Sequence, residues 1–422
     1  MLILSLTKLT LIAGVLLMCY NLYFILIALF GAAKKEREKP LPEAKPQTRF
    51  LCVAAARNEE AVIGYLTDSL LAQAYPKELF TVLIAPNNCT DNTAAVAKEH
   101  GATLFIPTGE IHSKGEVLTQ IADEMLSGDD YDAMCVFDAD NLVDTEFLSR
   151  MNDAIVSGAE VVQGLRDSKN PSQSAVSGWY SIGYWLLHRF YNCSRSALGL
   201  SALVNGSGFV VTRSLLERTE GWHTTTMTED YEFSAQCVCA GANVKYVPQA
   251  IIYDEQPITF SQSWNQRRRW TTGSLQSFFK YHQKLITRAI MHRSRSALDM
   301  YITFLTPLTQ VAGVVLCAIS CGLLLAGNGI VIGKLAIYGF WRTAAMLSGG
   351  TIFAVILSMC IAAFIVVLQK NKVKQMAKSI ASFWVFLGSY LLLTILSFFS
   401  RKTTWDPIAH TSAKSLTQFK AE

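Results

Sequence analysis

Two aspartates one residue apart, in Asp138-Ala139-Asp140, end an apolar stretch and place two carboxylates at the tip of a buried strand. Hard oxygen donors so spaced suit Mg2+ or Mn2+ carrying a diphosphate, although the same pair can cap a helix or line a solvated turn. Lys114, within His112-Ser113-Lys114-Gly115, can neutralise a phosphate or hydrogen-bond a base edge; a lone lysine is also often simply solvated. Farther on, Thr228-Glu229-Asp230 precedes helix-like text, where Thr228 or Asp230 can act as an N-cap. An aspartate in a closing, partly dry site can also take the proton from an attacking hydroxyl, and the two roles are compatible. Gln266-Arg267-Arg268-Arg269-Trp270 stands among aromatic, amphipathic text just before a long apolar region. It reads either as a headgroup contact and topology signal, or as a diphosphate clamp by Gln266 and Arg269 with Trp270 stacked on a sugar ring.

The text around these residues alternates between strand and helix. Residues 50–56 read as a first strand ending at Arg57-Asn58-Glu59-Glu60, where Asn58 can cap a helix with apolar positions Val62, Ile63, Leu66 and Leu70. Residues 80–85, 103–106 and 133–137 repeat the step, with helices near Thr93, Val117 and Glu146. Such alternation predicts an α/β domain with a mainly parallel sheet, whose ligands gather at the carboxyl ends of the strands. The polar clusters Asn87-Asn88-Cys89-Thr90-Asp91 and Asp138-Ala139-Asp140 fall at those ends.

A chain of 422 residues with 51% hydrophobic composition is too long and too apolar for one ordinary soluble domain. The net charge of +4 is spread without a basic stripe, which argues against a nucleic-acid partner. Ten dispersed cysteines, with no C-x-x-C pair and with Cys19, Cys317, Cys321 and Cys360 inside apolar segments, read as free thiols; Cys237 and Cys239, on one expected helix, read as core. Residues 9–33 exceed the roughly 20 residues that a spanning helix needs. Lys34, Lys35, Arg37 and Lys39 follow this run and only Lys8 precedes it, so the positive-inside rule puts the N-terminus outside and the following domain in the cytosol. The expected organisation is an anchor (1–34), a Pro-rich linker (35–48), a catalytic domain (49–258), interfacial amphipathic helices (259–298), C-terminal transmembrane helices (299–400) and a tail (401–422). Apolar runs at 300–326, 347–368 and 380–400 are each long enough to span, and Lys334 and Arg342 interrupt 330–346. Three spans put the tail outside, whereas Lys370, Lys372, Lys374 and Lys378 in one loop and Arg401, Lys402, Lys414 and Lys420 in the tail both ask for the cytosol. The aromatic stretch 174–200 reads as another interfacial helix, as an acceptor platform, or as core.

Taken in chain order, Arg57 to Glu60, Asn88 to Asp91, Lys114-Gly115, Asp138 to Asp140, Asn205-Gly206-Ser207-Gly208, Thr228 to Asp230 and Gln266 to Trp270 resemble glycosyltransferase family 2 over roughly residues 49–272. The Q-x-x-R-W element followed by membrane helices resembles its membrane-embedded processive branch, the cellulose, chitin and hyaluronan synthases. The resemblance implies a GT-A type fold, a nucleotide-sugar donor contacted by Asn87, Asp91, Lys114, Asp138, Gln266 and Arg269, and a Mg2+ or Mn2+ ion on Asp140. It also implies catalysis by Asp230 as base with Glu229 and Arg269, and acceptor contacts from Trp270, Gly206 and Ser207; the last two also read as an ordinary turn before a strand at 209–212. Many relatives carry an aspartate where this chain has Asn87, whose carbonyl can still accept from a uracil N–H. Trp405-Asp406-Pro407-Ile408-Ala409-His410-Thr411 resembles a C-terminal motif that folds back on the catalytic domain, and equally an interfacial anchor.

The expected enzyme is an inverting hexosyltransferase of the plasma membrane that extends a β-linked polysaccharide from UDP-glucose or UDP-N-acetylglucosamine. Transfer to a membrane lipid is the alternative, and a non-catalytic sugar-nucleotide-binding subunit is the alternative of another class; a channel or transporter is disfavoured by the large α/β domain between the spans. A polymer pore in so small a bundle needs few lining helices or a second copy of the chain.

Overall fold

In the computed structural model, which describes residues 2–34, 39–329, 334–370, 373–399 and 414–420, the alternating text forms one eight-stranded sheet. Its strands are β1 (Phe50–Ala56), β2 (Phe80–Pro86), β3 (Thr103–Leu104), β4 (Ala133–Asp138), β5 (Leu142–Val143), β6 (Val161–Ser168), β7 (Phe209–Thr212) and β8 (Val244–Asp254). They lie in the order β3-β2-β1-β4-β7-β6-β8-β5. Strand β1 pairs in parallel with β2 and β4, β2 with β3, and β6 with β8. The pairings β4–β7, β6–β7 and β5–β8 are antiparallel. The sheet is thus mixed but mostly parallel, and strand periodicity sorts its side chains. Phe50, Cys52 and Ala54 pack on one face with Ile63, Leu66 and Phe147, while Leu51 and Val53 pack on the other with Val117, Ile121 and Trp222.

The helices are α1 (Leu2–Ala32), α2 (Ile63–Leu71), α3 (Thr93–Glu99), α4 (Lys114–Ser127), α5 (Phe147–Val156), α6 (Ala175–Leu186), α7 (Cys193–Ala197), α8 (Arg213–Arg218), α9 (Glu229–Cys239), α10 (Phe260–Met291), α11 (Arg295–Phe304), α12 (Thr306–Gly329), α13 (Lys334–Leu368), α14 (Ala377–Ser397) and α15 (Leu416–Lys420). Four contain segments long and apolar enough to cross a membrane: Lys8–Ala32, Thr306–Leu323, Leu347–Leu368 and Ala377–Ser397. The ten cysteines are free, and Cys237 is buried in the core.

Several expectations change. Asn58 does not cap α2, which has Val62 at its N-cap and no side-chain cap bond. Asn58 instead takes φ +59°, a conformation asparagine tolerates, and its Oδ1 accepts from the Thr90 N–H at 2.7 Å, tying the first two β-α loops together. The apolar run at 300–326 is broken at Leu305, so that its first turn belongs to α11 and the span starts at Thr306. Residues 334–346 form no span of their own and open the 35-residue helix α13. The Trp405 to Thr411 motif lies outside the described residues. In the aromatic stretch, Trp179, Tyr180 and Trp185 are buried in one cluster with Ile365, Phe383 and Phe386 of α13 and α14, which makes α6 both core and contact with the apolar helices.

Candidate active site

A cavity of about 570 Å3 opens at the carboxyl ends of β1, β2, β4 and β8 and runs past the starts of α4 and α9 and the first half of α10. Its far end is lined by Thr306, Pro307 and Gln310 of α12 and by Tyr390 and Thr394 of α14. Of the twelve residues expected to contact donor, metal or acceptor or to take part in catalysis, ten line it: Asn87, Lys114, Asp138, Asp140, Gly206, Glu229, Asp230, Gln266, Arg269 and Trp270. Two others do not. Asp91 turns back on its own loop, where Oδ1 accepts from the Thr93 N–H at 3.0 Å and Oδ2 from the Glu60 N–H at 3.1 Å. Ser207 is fully buried beneath the cavity floor; its hydroxyl accepts from the Asp138 N–H at 3.0 Å and donates to Asn141 Oδ1. It positions the backbone of Asp138 rather than facing a ligand.

Charges are concentrated at the upper end. Lys114 Nζ lies 2.5 Å from Asp138 Oδ1, donates to the Gly206 carbonyl at 2.8 Å and approaches Glu229 at 3.9 Å. Burial alone would depress its pKa, but Asp138 and Glu229 hold it above the ordinary value. The carboxyl of Asp138, pushed up by burial, is held below its usual range by Lys114 and Arg166. Arg166 donates to Asp254 at 2.6 Å and to the Asn205 carbonyl at 2.7 Å, lies 3.8 Å from Asp138, and sits over the Tyr184 ring.

Asp138, Asp140 and Asp254 each present a carboxylate oxygen, and these atoms lie within 4.8 Å of one another. Burial raises the Asp254 pKa to about 7, with Asp140 and Asp138 adding to the rise and Arg166 opposing it. An all-oxygen, carboxylate-rich set crowded with negative charge fits a hard divalent cation, so these three side chains are the residues that would hold one.

Residues 46–273, more than half of the chain, match the family model described as glycosyltransferase like family 2. The chain belongs to glycosyltransferase family 2. The transferase is 26% identical to a beta-monoglucosyldiacylglycerol synthase of Synechocystis over 61% of this chain and 53% of that one. It is 23% identical to a poly-beta-1,6-N-acetyl-D-glucosamine synthase of Staphylococcus epidermidis over 63% of each chain. The alignments thus span about half to two thirds of these relatives. Among solved structures, the mannosyltransferase PcManGT from Pyrobaculum calidifontis, in complex with GDP-Man and Mn2+, shares the fold with a TM-score of 0.59 at 16% identity, covering 95% of this chain and 99% of that one.

In the transferase, Asp230 stands in the first turn of α9, where its Oδ1 accepts from the Tyr231 N–H at 2.8 Å. Burial and the neighbouring Glu229 raise its pKa to about 7, against the pull of Lys114 and Arg166. Gly206, at φ +81°, lets the turn after Val204 pass close by: a Cβ there would lie 3.3 Å from Asp230 Oδ2 and 3.2 Å from Arg166 Nη1. Thr228 occupies the N-cap position without making a cap bond, contrary to the capping expectation, and lies close against α10. A Cβ on Gly273 would meet Thr228 Oγ1 at 2.3 Å and its backbone nitrogen at 2.8 Å. Gly273→Ala must therefore push the start of α9 away from α10. The expected result is a loss of about 1–3 kcal/mol in denaturant unfolding, with a fall in kcat larger than the change in donor KM.

Helix geometry divides the arginine run. Arg268 and Arg269 face the cavity, whereas Arg267 is fully buried on the opposite side and donates to the Phe386 carbonyl at 2.9 Å and to Ser389 Oγ at 2.8 Å. Gln266 Oε1 is buried with no hydrogen-bond partner among the described residues, which leaves this oxygen to accept from a ligand donor. Sequence reasoning missed Asp254, Arg166 and Tyr184. Asp254 carried the same signal as Asp138, an acid at the end of an apolar strand; Arg166 carried none, because its role arises only from the pairing of β6 with β8.

Proposed function

We propose that the transferase moves a hexosyl unit with inversion from UDP-glucose or UDP-N-acetylglucosamine to an acceptor hydroxyl held at Asp230, with its catalytic domain in the cytosol. The observation that carries this reading is a buried carboxylate with a pKa of about 7 in the same cavity as the three-aspartate cluster. A base poised near neutrality accepts the hydroxyl proton as the oxygen attacks the anomeric carbon, and an α-linked donor then gives a β-linked product. Arg269 and Lys114 supply fixed positive charge to the departing nucleoside diphosphate. A divalent ion held by Asp138, Asp140 and Asp254 would add charge neutralisation at the same diphosphate. Asn87 lines the cavity and spends its Nδ2 on the Ala56 carbonyl at 3.3 Å, leaving Oδ1 to accept from a uracil N–H. Trp270, packed edge-on against Tyr180 and Tyr184, offers an aromatic wall for a sugar.

The far end of the cavity favours a membrane lipid as acceptor over a polymer threaded through the bilayer. Among the described residues, none beyond Gln310 on α12 lines it, and Thr394 donates to Gln310 Oε1 at 3.1 Å across its end. Gln310 is four residues from the start of α12, a depth of about 6 Å at 1.5 Å per residue. A hydroxyl at headgroup level reaches this depth, whereas a translocating polymer needs a path about 30 Å long. The polysaccharide reading keeps the Q-x-x-R-W element on its side.

The test is nucleoside diphosphate release by the reconstituted protein with Mg2+ or Mn2+, a panel of UDP-sugars and membrane lipid. Donor-specific release into a labelled glycolipid is expected. A labelled product of high molecular mass would restore the polymer reading, and no release with any donor and acceptor would overturn the transferase assignment of this site.

A further inference from the structure

We infer that α14, although long and apolar enough to span, does not cross the bilayer but lies in the interface on the catalytic side, so that the chain crosses three times. A crossing helix of 21 residues carries its two ends about 30 Å apart along the membrane normal, with one end far from the catalytic domain. Both ends of α14 are tied to helices that line the cavity, α6 near its start and α10 at its end. Near its start, Ser382 Oγ accepts from Trp179 Nε1 of α6 at 3.0 Å. In the middle, Arg267 of α10 holds Phe386 and Ser389. At its end, Ser397 Oγ shares a buried hydrogen bond of 2.7 Å with Thr271 of α10, two residues from Arg269, and Thr394 bonds to the second turn of α12.

The other three helices behave as crossings. Leu17 and Leu316 side chains lie 3.9 Å from Cβ positions built on Gly313 and Gly14 respectively, so α1 and α12 run antiparallel away from the domain. The last turns of α13 return to it, with Ala362, Ile365 and Val366 buried in one cluster with Trp179 and Tyr180. After α14 the chain is again on the catalytic side: in α15, Lys420 Nζ lies 2.7 Å from Asp144 Oδ2 and Phe419 packs on Tyr253 with ring centroids 4.7 Å apart. Had α14 crossed, α15 would start from the side opposite the domain it contacts.

The two faces of α14 fit a helix lying on the domain. Phe383, Phe386, Leu393 and Ser397 are buried, whereas Trp384, Leu387, Leu392 and Leu396 form an exposed apolar stripe. The occupant of that stripe is the acyl layer just below the headgroups, with Lys374 and Lys378 at the headgroups themselves. Three crossings bring the basic loop at 370–378 and the basic tail to one side together, which removes the conflict between charge and span count. They also make Tyr390 and Thr394, at the cavity end, part of a surface-lying floor.

The experiment uses the full chain with a C-terminal epitope in sealed right-side-out and inverted vesicles treated with protease. The epitope is expected to be lost only in vesicles whose catalytic domain is also digested. Loss of the epitope where the domain is protected would overturn the proposal. A nitroxide at Gly388→Cys, where a Cβ meets nothing within 4 Å, and another at Ala381→Cys report depth in the reconstituted protein, each read as a difference from the unsubstituted chain. Similar depths are expected. A crossing helix would put position 388 about 10 Å deeper, from seven residues at 1.5 Å each, and that result would equally overturn it.

Discussion

Asp230→Asn is expected to lower turnover by orders of magnitude while making the protein more stable. Amide for carboxylate keeps the volume and removes the base, a loss of about 10^2 to 10^4 in kcat with donor binding largely retained. The pH profile carries the distinguishing signature. With the carboxyl raised to about 7 by burial and by Glu229, the wild-type kcat/KM rises as pH increases through about 7 and then levels, because only the ionised form accepts a proton. Residual activity of the Asn variant lacks this limb. Stability follows from the same shift with the opposite benefit. The native state holds the Asp230 proton to about pH 7, whereas the unfolded chain releases it near 4, so this group erodes stability as pH rises through that window. The variant is therefore expected to melt above the wild type at pH 8, by about 2–4 °C per kcal/mol recovered, and by a clearly smaller margin at pH 5, where only the first part of that window has been crossed. Thermal unfolding at the two pH values, beside nucleoside diphosphate release from pH 5.5 to 9, measures both. A variant with unchanged kcat would remove Asp230 from the mechanism.

Arg166→Met is expected to give the largest loss of stability among the site residues. The guanidinium is buried and compensates Asp254 at 2.6 Å and Asp138 at 3.8 Å, while its other nitrogen satisfies the Asn205 carbonyl. Methionine fills much of the volume and leaves the carboxylates uncompensated, a cost of about 3–5 kcal/mol for breaking a buried pair. The sign with pH is fixed by which partner titrates. Removing Arg166 takes away the pull that opposes burial on Asp254, so its pKa rises further. The variant then escapes the penalty by binding a proton, and its deficit against the wild type is expected to be large at pH 8 and small at pH 5.5. Denaturant unfolding at the two pH values checks this, and a deficit independent of pH would mean that Arg166 acts by packing on Tyr184 rather than by charge. Added Mg2+ or Mn2+ is expected to narrow the gap at pH 8 by supplying positive charge to the same oxygens.

Much of the site was legible because its residues sit where local rules place them. A strand that must be buried ends where polarity begins, so Asn87, Asp138 and Asp140 announce themselves at the tips of apolar runs, and periodicity locates β1, β2 and β4 and the helices that follow them. Lys114, Glu229 and Asp230 open helices, another position that text marks. Asp91 and Ser207 were marked by the same text but face inward, since whether a loop side chain meets ligand or backbone depends on the loop's path.

The sequence by itself determined the α/β alternation, the family motifs in their order, and which segments are apolar enough for a membrane, because each depends on neighbours within a few turns of chain. Only the tertiary structure decided that Asp254 and Arg166, 88 residues apart, meet beside Asp138, that Arg267 faces α14 while Arg269 faces the cavity, and which face of α14 is exposed. The physical reason is that hydrophobicity says how much surface must leave water, while the pairing of β6 with β8 and the packing of α10 on α14 choose the partner it leaves water for.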